Sequence, residues 1–501
     1  MQSLNNIFTT NLKETTVMDA NLDKLSEVGK LLGEKDEVCG KMVTYFGLMG
    51  LGRMLSRLSL EKQQGVSIAQ LILSLCLFRV AGESIHSLWR KRFHCLLETG
   101  KNCYYRLLGR VWMDWRLLLL RVSTRFCAIV RREGAEDTHQ PKCFIIDDTL
   151  LEKVGLTIER VSRVFDHVTR KCVLGFKLQL LAFFDGRSTM AVDFSIHREK
   201  GKNRDYGLTA EQRKAQYSKK RPKDCPARER LAEADRSKLD VAIEMIRRAY
   251  KAGLQASLVL ADSWYTCERL IAAVRAIGGG ALHYVGLAKL GNTKYLVQGK
   301  KMAAEQLIAR YGRENTHPCR KYRCQYIDLK GMLGSQPVRI FLVKYGRART
   351  WNVLLTSDTG MGFTKAFEAY QIRWNIEVMN RETKQYLGLG AYQGRDFDGI
   401  IADCTLCYVT YDVMALEKRF TQYETIGELL RSEREDLVAL TLWKRTLACL
   451  KRLLELLAEK LGLDFEELLL EIAHDEASAK EYEVMADALV KLRQEEARTA
   501  A

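Results

Sequence analysis

Between about residues 22 and 132 apolar residues recur at spacings of three and four. VSIAQLILSLCLF and VWMDWRLLLLRVSTRFCAIV show this most clearly, and the period predicts a set of helices. The texture changes at Pro141. KCFIIDDTLL is a short apolar run that ends in two aspartates, which predicts a buried strand with acid at its tip. VLGFKLQLLAFFDG and TMAVDFSIHRE follow, separated by Asp185-Gly186, and read as a hairpin of two further strands. The polar, basic stretch from residue 197 to 238 predicts an exposed loop or insertion. LDVAIEMIRRAYKAG has helical periodicity, and ASLVLADSWYTCERLI repeats the pattern of a strand ending in acid, here at Asp262. YVGLAKL, YRCQYIDLKGML, VRIFLVKYG and WNVLLTS predict strands between residues 278 and 356. FEAYQIRWNIEVMNRETKQYLGLG then reads as one helix stopped by Gly388 and Gly390. Beyond about residue 420 the chain is leucine-rich and helical, with LLELLAEKLGLDFEELLLEIA at its centre. That segment is expected as a packing tail or a self-association surface.

These patterns divide the 501 residues into a helical N-terminal region, 1–138, and the first part of an α/β core, 139–275, which contains the basic 197–238 loop. A β-rich insertion, 276–362, the second part of the core, 363–418, and a helical C-terminal region, 419–501, complete the division.

Composition narrows the function classes. An apolar share of 47% and a charged share of 28% are those of an ordinary globular protein. No uninterrupted run approaches the roughly 18 apolar residues of a membrane span; the longest candidates are Leu71–Val80 and Leu178–Phe184. The opening MQSLNNIFTTNLKETT has no charged-then-apolar signal segment, so a cytoplasmic protein with no membrane partner is expected. The 14 cysteines are scattered. Cys404 with Cys407 and Cys319 with Cys324 are close pairs, but without the paired spacing of a zinc ribbon they read as small apolar residues. A net charge of +17 favours a polyanion such as DNA or RNA. Basic residues between the N-terminal apolar positions (Arg53, Arg57, Lys62, Arg90, Lys91, Arg92, Arg106 and Arg110) suit a helical module docking on DNA. Lys219, Lys220, Arg221 and Lys223 suit phosphate contacts from the basic loop; a solvated linker is the alternative.

The candidate chemistry lies in three carboxylates. Asp147 and Asp262 end predicted strands, and Glu377 lies on a predicted helix. Cutting a phosphodiester needs charge neutralised at the attacking and leaving oxygens. Two Mg²⁺ ions about 4 Å apart do this, and they prefer hard carboxylate oxygens. Asp148 competes with Asp147, because neighbouring strand residues point to opposite faces and only one can easily face a metal. Asp193 and Asp185 are weaker competitors, and a turn role suffices for Asp185. On one continuous helix, Tyr370, Arg373, Glu377 and Lys384 would fall in a stripe roughly 60° wide, with Arg381 beside it. Such a stripe combines a metal-binding carboxylate with groups suited to phosphate. Trp374, Ile376, Val378 and Met379 are expected to pack the remainder of that helix into protein.

YQIRWNIEVMNRETK carries a Tyr–x2–Arg–x3–Glu–x6–Lys pattern at Tyr370, Arg373, Glu377 and Lys384. In this it resembles the insertion-sequence DDE transposases that bear that signature. IIDDT looks like the family's first-acid strand, in a register that favours Asp147, and VLADSWY looks like the second-acid strand, at Asp262. The resemblance covers about residues 140–420. It implies a ribonuclease H-like catalytic core interrupted by a β-rich insertion between the second Asp and the Glu. It also implies cut-and-paste transposition with two Mg²⁺ ions, for which Mn²⁺ can substitute, on double-stranded DNA at terminal inverted repeats and target sites. The expected assembly is a homodimer, associated with the nucleoid when on DNA. The resemblance assigns Tyr370, Arg373 and Lys384 to DNA phosphates, and it makes Trp351, just before Leu354–Ser357, a candidate for stacking a flipped base, with core packing as the alternative. A nuclease without strand transfer and a DNA-binding protein derived from a transposase remain as alternatives. A purely binding role has no need of the three acids.

Overall fold

The computed structural model describes residues 45–56, 66–86 except 83, and 100–434 except 292, 347 and 349. Arg57, Lys62, Arg90, Lys91, Arg92 and the leucine-rich centre of the C-terminal region lie outside the described residues, as does the expected self-association surface. Tyr45–Leu430 form one compact unit. The chain runs through α1 (Leu51–Ser56), α2 (Ile68–Val80), α3 (Lys101–Leu108) and α4 (Trp115–Arg132) into β1 (Cys143–Glu152), β2 (Ser162–Asp166), β3 (Lys171–Phe184) and β4 (Thr189–His197). Next come α5 (Ala210–Lys214), α6 (Pro226–Glu233), α7 (Lys238–Lys251), β5 (Leu258–Ala261), α8 (Glu268–Ile277) and β6 (His283–Ala288). The β-rich stretch holds β7 (Lys294–Val297), β8 (Lys300–Ala303), α9 (Ala304–Tyr311), β9 (Thr316–Cys319), β10 (Cys324–Leu333), β11 (Gln336–Tyr345) and β12 (Asn352–Thr356). It is followed by α10 (Phe363–Gln371), α11 (Trp374–Leu387) and α12 (Phe397–Phe420).

The twelve strands among the described residues belong to one mixed sheet. Its first part has the order β4-β3-β1-β5-β6. β3 runs antiparallel to β1 and β4, while β1, β5 and β6 are parallel neighbours. Parallel pairing needs a long crossover, and the stretch containing α7 supplies it between β4 and β5. The first four residues of β1 and all four of β5 are buried, as expected of central parallel strands covered on both faces. Asp185 and Gly186 make the β3–β4 turn as expected. The Asp185 carboxylate accepts the backbone N–H groups of Arg187 and Ser188 at 3.0 and 2.7 Å, and Gly186 takes φ 106°.

Three placements differ from the sequence expectation. First, the strands of the β-rich insertion do not form a separate sheet. β12 pairs with β6, and β11 and β10 continue the same sheet outward, so β6 belongs with the core strands. Second, the helices after residue 45 share one unit with the sheet: α4 packs on β4 and α12, and the Ser123 hydroxyl donates to the Ala191 carbonyl at 2.6 Å. Third, the basic 197–238 stretch is not a plain loop, since it contains α5 and α6. Pro226 opens α6 at a position where its missing N–H costs nothing.

α12 was not visible as an apolar run, because Asp398, Asp403, Asp412 and Glu417 interrupt it. By length and composition it could cross a membrane, but its most apolar stretch is buried completely inside the protein. It is the central core helix, with an unusual load of buried acid. The Asp412 carboxylate accepts the Ala191 N–H at 2.8 Å through one oxygen, and its other oxygen has no hydrogen-bond partner. Burial holds this carboxyl well above the usual carboxylate range. The unfolded chain therefore loses this proton at a lower pH than the folded chain does. Above the unfolded value, rising pH favours the unfolded state by about 1.4 kcal/mol per unit until the folded group also ionises. We expect Asp412→Asn, which cannot titrate, to gain stability relative to wild type as pH rises from 4 to 7. Denaturant unfolding at several pH values checks this, and parallel curves for the two proteins would refute it.

Candidate active site

Strand register sets the site. β1 and β5 are paired in parallel up to Ile146 and Ala261, so the next residue on each, Asp147 and Asp262, leaves the paired segment side by side. Each carboxylate is fixed by nearby backbone. Asp147 accepts the Asp148 N–H at 2.8 Å, and Asp262 accepts the Trp264 N–H at 2.9 Å. The Thr266 hydroxyl also holds the Asp262 carbonyl, at 3.2 Å.

The third acid arrives through an arginine. Arg373 stands at the break between α10 and α11, with Nη1 3.4 Å from Asp147 and Nη2 ion-paired to Glu377. Its guanidinium carbon lies 5.5 Å from the centre of the Tyr370 ring. The guanidinium therefore bridges Asp147 and Glu377. Burial pushes the Asp147 carboxyl up to about 7. The Asp148 N–H and Arg373 pull against this, while Asp148 and Asp262 push it further up. Burial also raises the Tyr370 phenol; Arg373 opposes this, and Asp262 and Asp147 add to it, so the ring lies within the field of both acids. Burial alone would lower the Arg373 pKa, but Tyr370, Glu377 and Asp147 together raise it.

Neighbouring acids have other partners. Asp148 points away from Asp147 and takes Lys238 Nζ at 3.0 Å. Asp193 is spent on Arg116 at 3.0 Å and Arg248 at 2.7 Å inside a buried network. Asp147 is thus the member of the Asp147–Asp148 pair that faces Arg373.

The single helix expected from Phe367 to the glycines at 388 and 390 belongs to two helices, α10 and α11. Ile372 and Arg373 form a turn closed by bonds to carbonyls three residues back, so the four-residue stripe is bent at Arg373 rather than straight. Trp374, expected to be packed, is 59% exposed, whereas Ile376 and Met379 are fully buried. Arg381 and Lys384 are exposed on α11. Although Lys384 is exposed, surrounding protein lowers its pKa, and Glu152 at the far end of β1 and Asp166 oppose this. Trp351 is half-buried, with Lys344 Nζ 5.8 Å from its ring centre.

Lys219 and Arg221 were expected to contact phosphate, but they have protein partners. Lys219 Nζ meets Asp396 at 2.7 Å, Asp398 at 2.8 Å and the Gly109 carbonyl at 2.6 Å. The Arg221 side chain is 2% exposed and pairs with Glu159 at 2.7 Å and Asp398 at 2.9 Å. Of the four, Lys220 and Lys223 are exposed. Among the N-terminal cations, Arg53 and Arg106 are exposed and Arg110 is half-buried. Two residues beside the acids were not singled out: Lys238, which carried no motif, and Trp264, which lies within VLADSWY and is 46% exposed. Position alone, two residues after Asp262, could have singled out Trp264.

The donor set suits a hard divalent cation. It consists of carboxylate oxygens, with Asp147 half-buried beside Arg373 and its carboxyl raised chiefly by burial. Asp147 and Asp262 would hold the ion or ions, with Glu377 joining once it parts from Arg373. Among the described residues, no three His, Cys, Asp or Glu side chains are gathered tightly enough to hold a metal as they stand, which agrees with Arg373 lying between two of these acids.

No curated protein matches the chain. Residues 95–326 match the family model described as DDE superfamily endonuclease, a span that includes Asp147 and Asp262 and ends before Glu377. This part of the chain is therefore similar to the DDE superfamily endonucleases.

Proposed function

We propose that the protein is a DDE transposase that cleaves DNA at the terminal inverted repeats of an insertion sequence and joins the freed ends to target DNA. The observation that carries this is the emergence of Asp147 and Asp262 side by side from paired parallel strands, with Glu377 tethered to Asp147 through Arg373. The strand order β4-β3-β1-β5-β6, with one antiparallel hairpin and three parallel neighbours, supports a ribonuclease H-like core. In this reading Asp147, Asp262 and Glu377 hold two Mg²⁺ ions, or Mn²⁺ in their place. When bound, the ions neutralise charge on the attacking and leaving oxygens. The protein's own part is to fix the acids on rigid central strands and to bring cations and hydrogen-bond donors to the phosphate. Tyr370 and Arg373 stand at the acids, Lys384 and Arg381 lie further along α11, and Lys220 is exposed on the basic stretch. The active form is a homodimer holding two DNA ends, working in the cytoplasm at the nucleoid.

Pre-cleaved ends incubated with target DNA test the reading. Joined product is expected, whereas cleavage without joining would favour a related nuclease. Arg373→Ala should weaken DNA binding and flatten its salt dependence by about 0.9 in log–log slope, the value for one lost phosphate contact. Binding titrations from 50 to 200 mM salt check this, and an unchanged slope would remove Arg373 from the DNA.

A further inference from the structure

We propose that Lys238 is a positioning residue that ties together the segments of β1 and β5 carrying Asp147 and Asp262; this rests on the reading of those acids as metal ligands. Lys238 is the first residue of α7, far in sequence from both strands. Its ammonium lies 3.0 Å from Asp148, the neighbour of Asp147, and 4.1 Å from the centre of the Trp264 ring. Trp264 in turn donates its backbone N–H to the Asp262 carboxylate at 2.9 Å. The path Asp148–Lys238–Trp264–Asp262 is therefore continuous from one acid-bearing strand to the other.

Two features mark this as more than a surface ion pair. The Lys238 and Asp148 side chains are each only 19% exposed, so the pair is largely shielded from water. A lysine at the start of a helix also opposes the helix dipole, which favours acids there. Lys238 is held at that position from a second side. Its carbonyl accepts the Gln179 side-chain amide at 2.9 Å, and the same amide reaches the buried Tyr265 hydroxyl at 2.9 Å. Ser195 fixes the other end of Gln179 at 3.1 Å. The tie has a second consequence. With Asp148 neutralised by Lys238, only Asp147 of the adjacent acids is left for a cation.

The probe is Mn²⁺ binding to the full-length, metal-free protein without DNA, followed by calorimetry or electron paramagnetic resonance. The double variant Asp148→Asn with Lys238→Met removes the tie and leaves the net charge of the site unchanged, so loss of positioning is read apart from loss of charge. Residues that orient metal ligands typically contribute 10–100-fold to affinity. The double variant is expected to bind Mn²⁺ weaker by about that factor. Lys238→Arg, which keeps both the ion pair and the ring contact, should stay close to wild type. Thermal midpoints of all three proteins should coincide. Wild-type Mn²⁺ affinity in the double variant, an equal loss in Lys238→Arg, or a loss that merely follows a lowered midpoint would each overturn the proposal. Asp147→Asn separates the two levels of inference. If it loses Mn²⁺ and the double variant does not, only the role of Lys238 fails. If it binds Mn²⁺ as wild type does, the metal assignment fails with it.

Discussion

Asp147→Asn is expected to slow DNA cleavage by about 10³-fold or more, because a ligand to a charge-neutralising metal contributes several kcal/mol to the transition state. Asparagine keeps the shape of the side chain and still accepts the Asp148 N–H, so the strand stays in place. What it removes is the negative charge at the meeting point of β1, β5 and Arg373. DNA binding should hold or tighten, since one repulsive charge near the phosphates is gone. Glu377→Ala should give the same separation of cleavage from binding. Gel-shift and cleavage assays on one substrate decide the matter. Cleavage within tenfold of wild type by either variant would take that acid out of the site.

Arg221→Ala is expected to lower stability by about 3–5 kcal/mol, the usual cost of leaving buried charges without their partner. With a 2% exposed side chain, solvent screening relieves little of this. The substitution strands Glu159 and leaves Asp398 with Lys219 alone, and both acids are almost fully buried. Glu159 also accepts the Phe397 N–H that begins α12, so the loss reaches the core helix. The exposed neighbour Lys220 should tolerate alanine without a change in stability. Chemical denaturation of the two variants measures the contrast. A near-neutral Arg221→Ala would return this arginine to the surface role first expected from its basic neighbourhood.

That difference shows which parts of the molecule the linear pattern carries. The two acid-bearing strands were legible because central parallel strands must be apolar on both faces, so acid after the apolar run stands out; β5 ends just before Asp262 as expected, whereas β1 runs past Asp147 to Glu152 on its pairing with β3, which the linear pattern does not show. Composition around Lys219 and Arg221 could not reveal acids on distant segments, Glu159, Asp396 and Asp398, and so could not separate buried cations from exposed ones. Helical period alone also missed the turn at Ile372 and Arg373, which no glycine or proline marks. α12 escaped notice for a related reason. Its buried acids break the apolar run, and Asp403 and Asp412 find their partners on α2 and β4. Lys238 carried no local pattern, because its significance comes from side chains brought to it by two strands.

The most direct test is to place the metals. Crystals grown with Mn²⁺ and a cleaved DNA end, measured for anomalous scattering, should show two manganese peaks about 4 Å apart. Asp147, Asp262 and Glu377 should lie against the ions, and Arg373 should have turned from Glu377 toward a phosphate. Peaks bound elsewhere, or Glu377 still paired to Arg373 with metal and DNA present, would contradict the account.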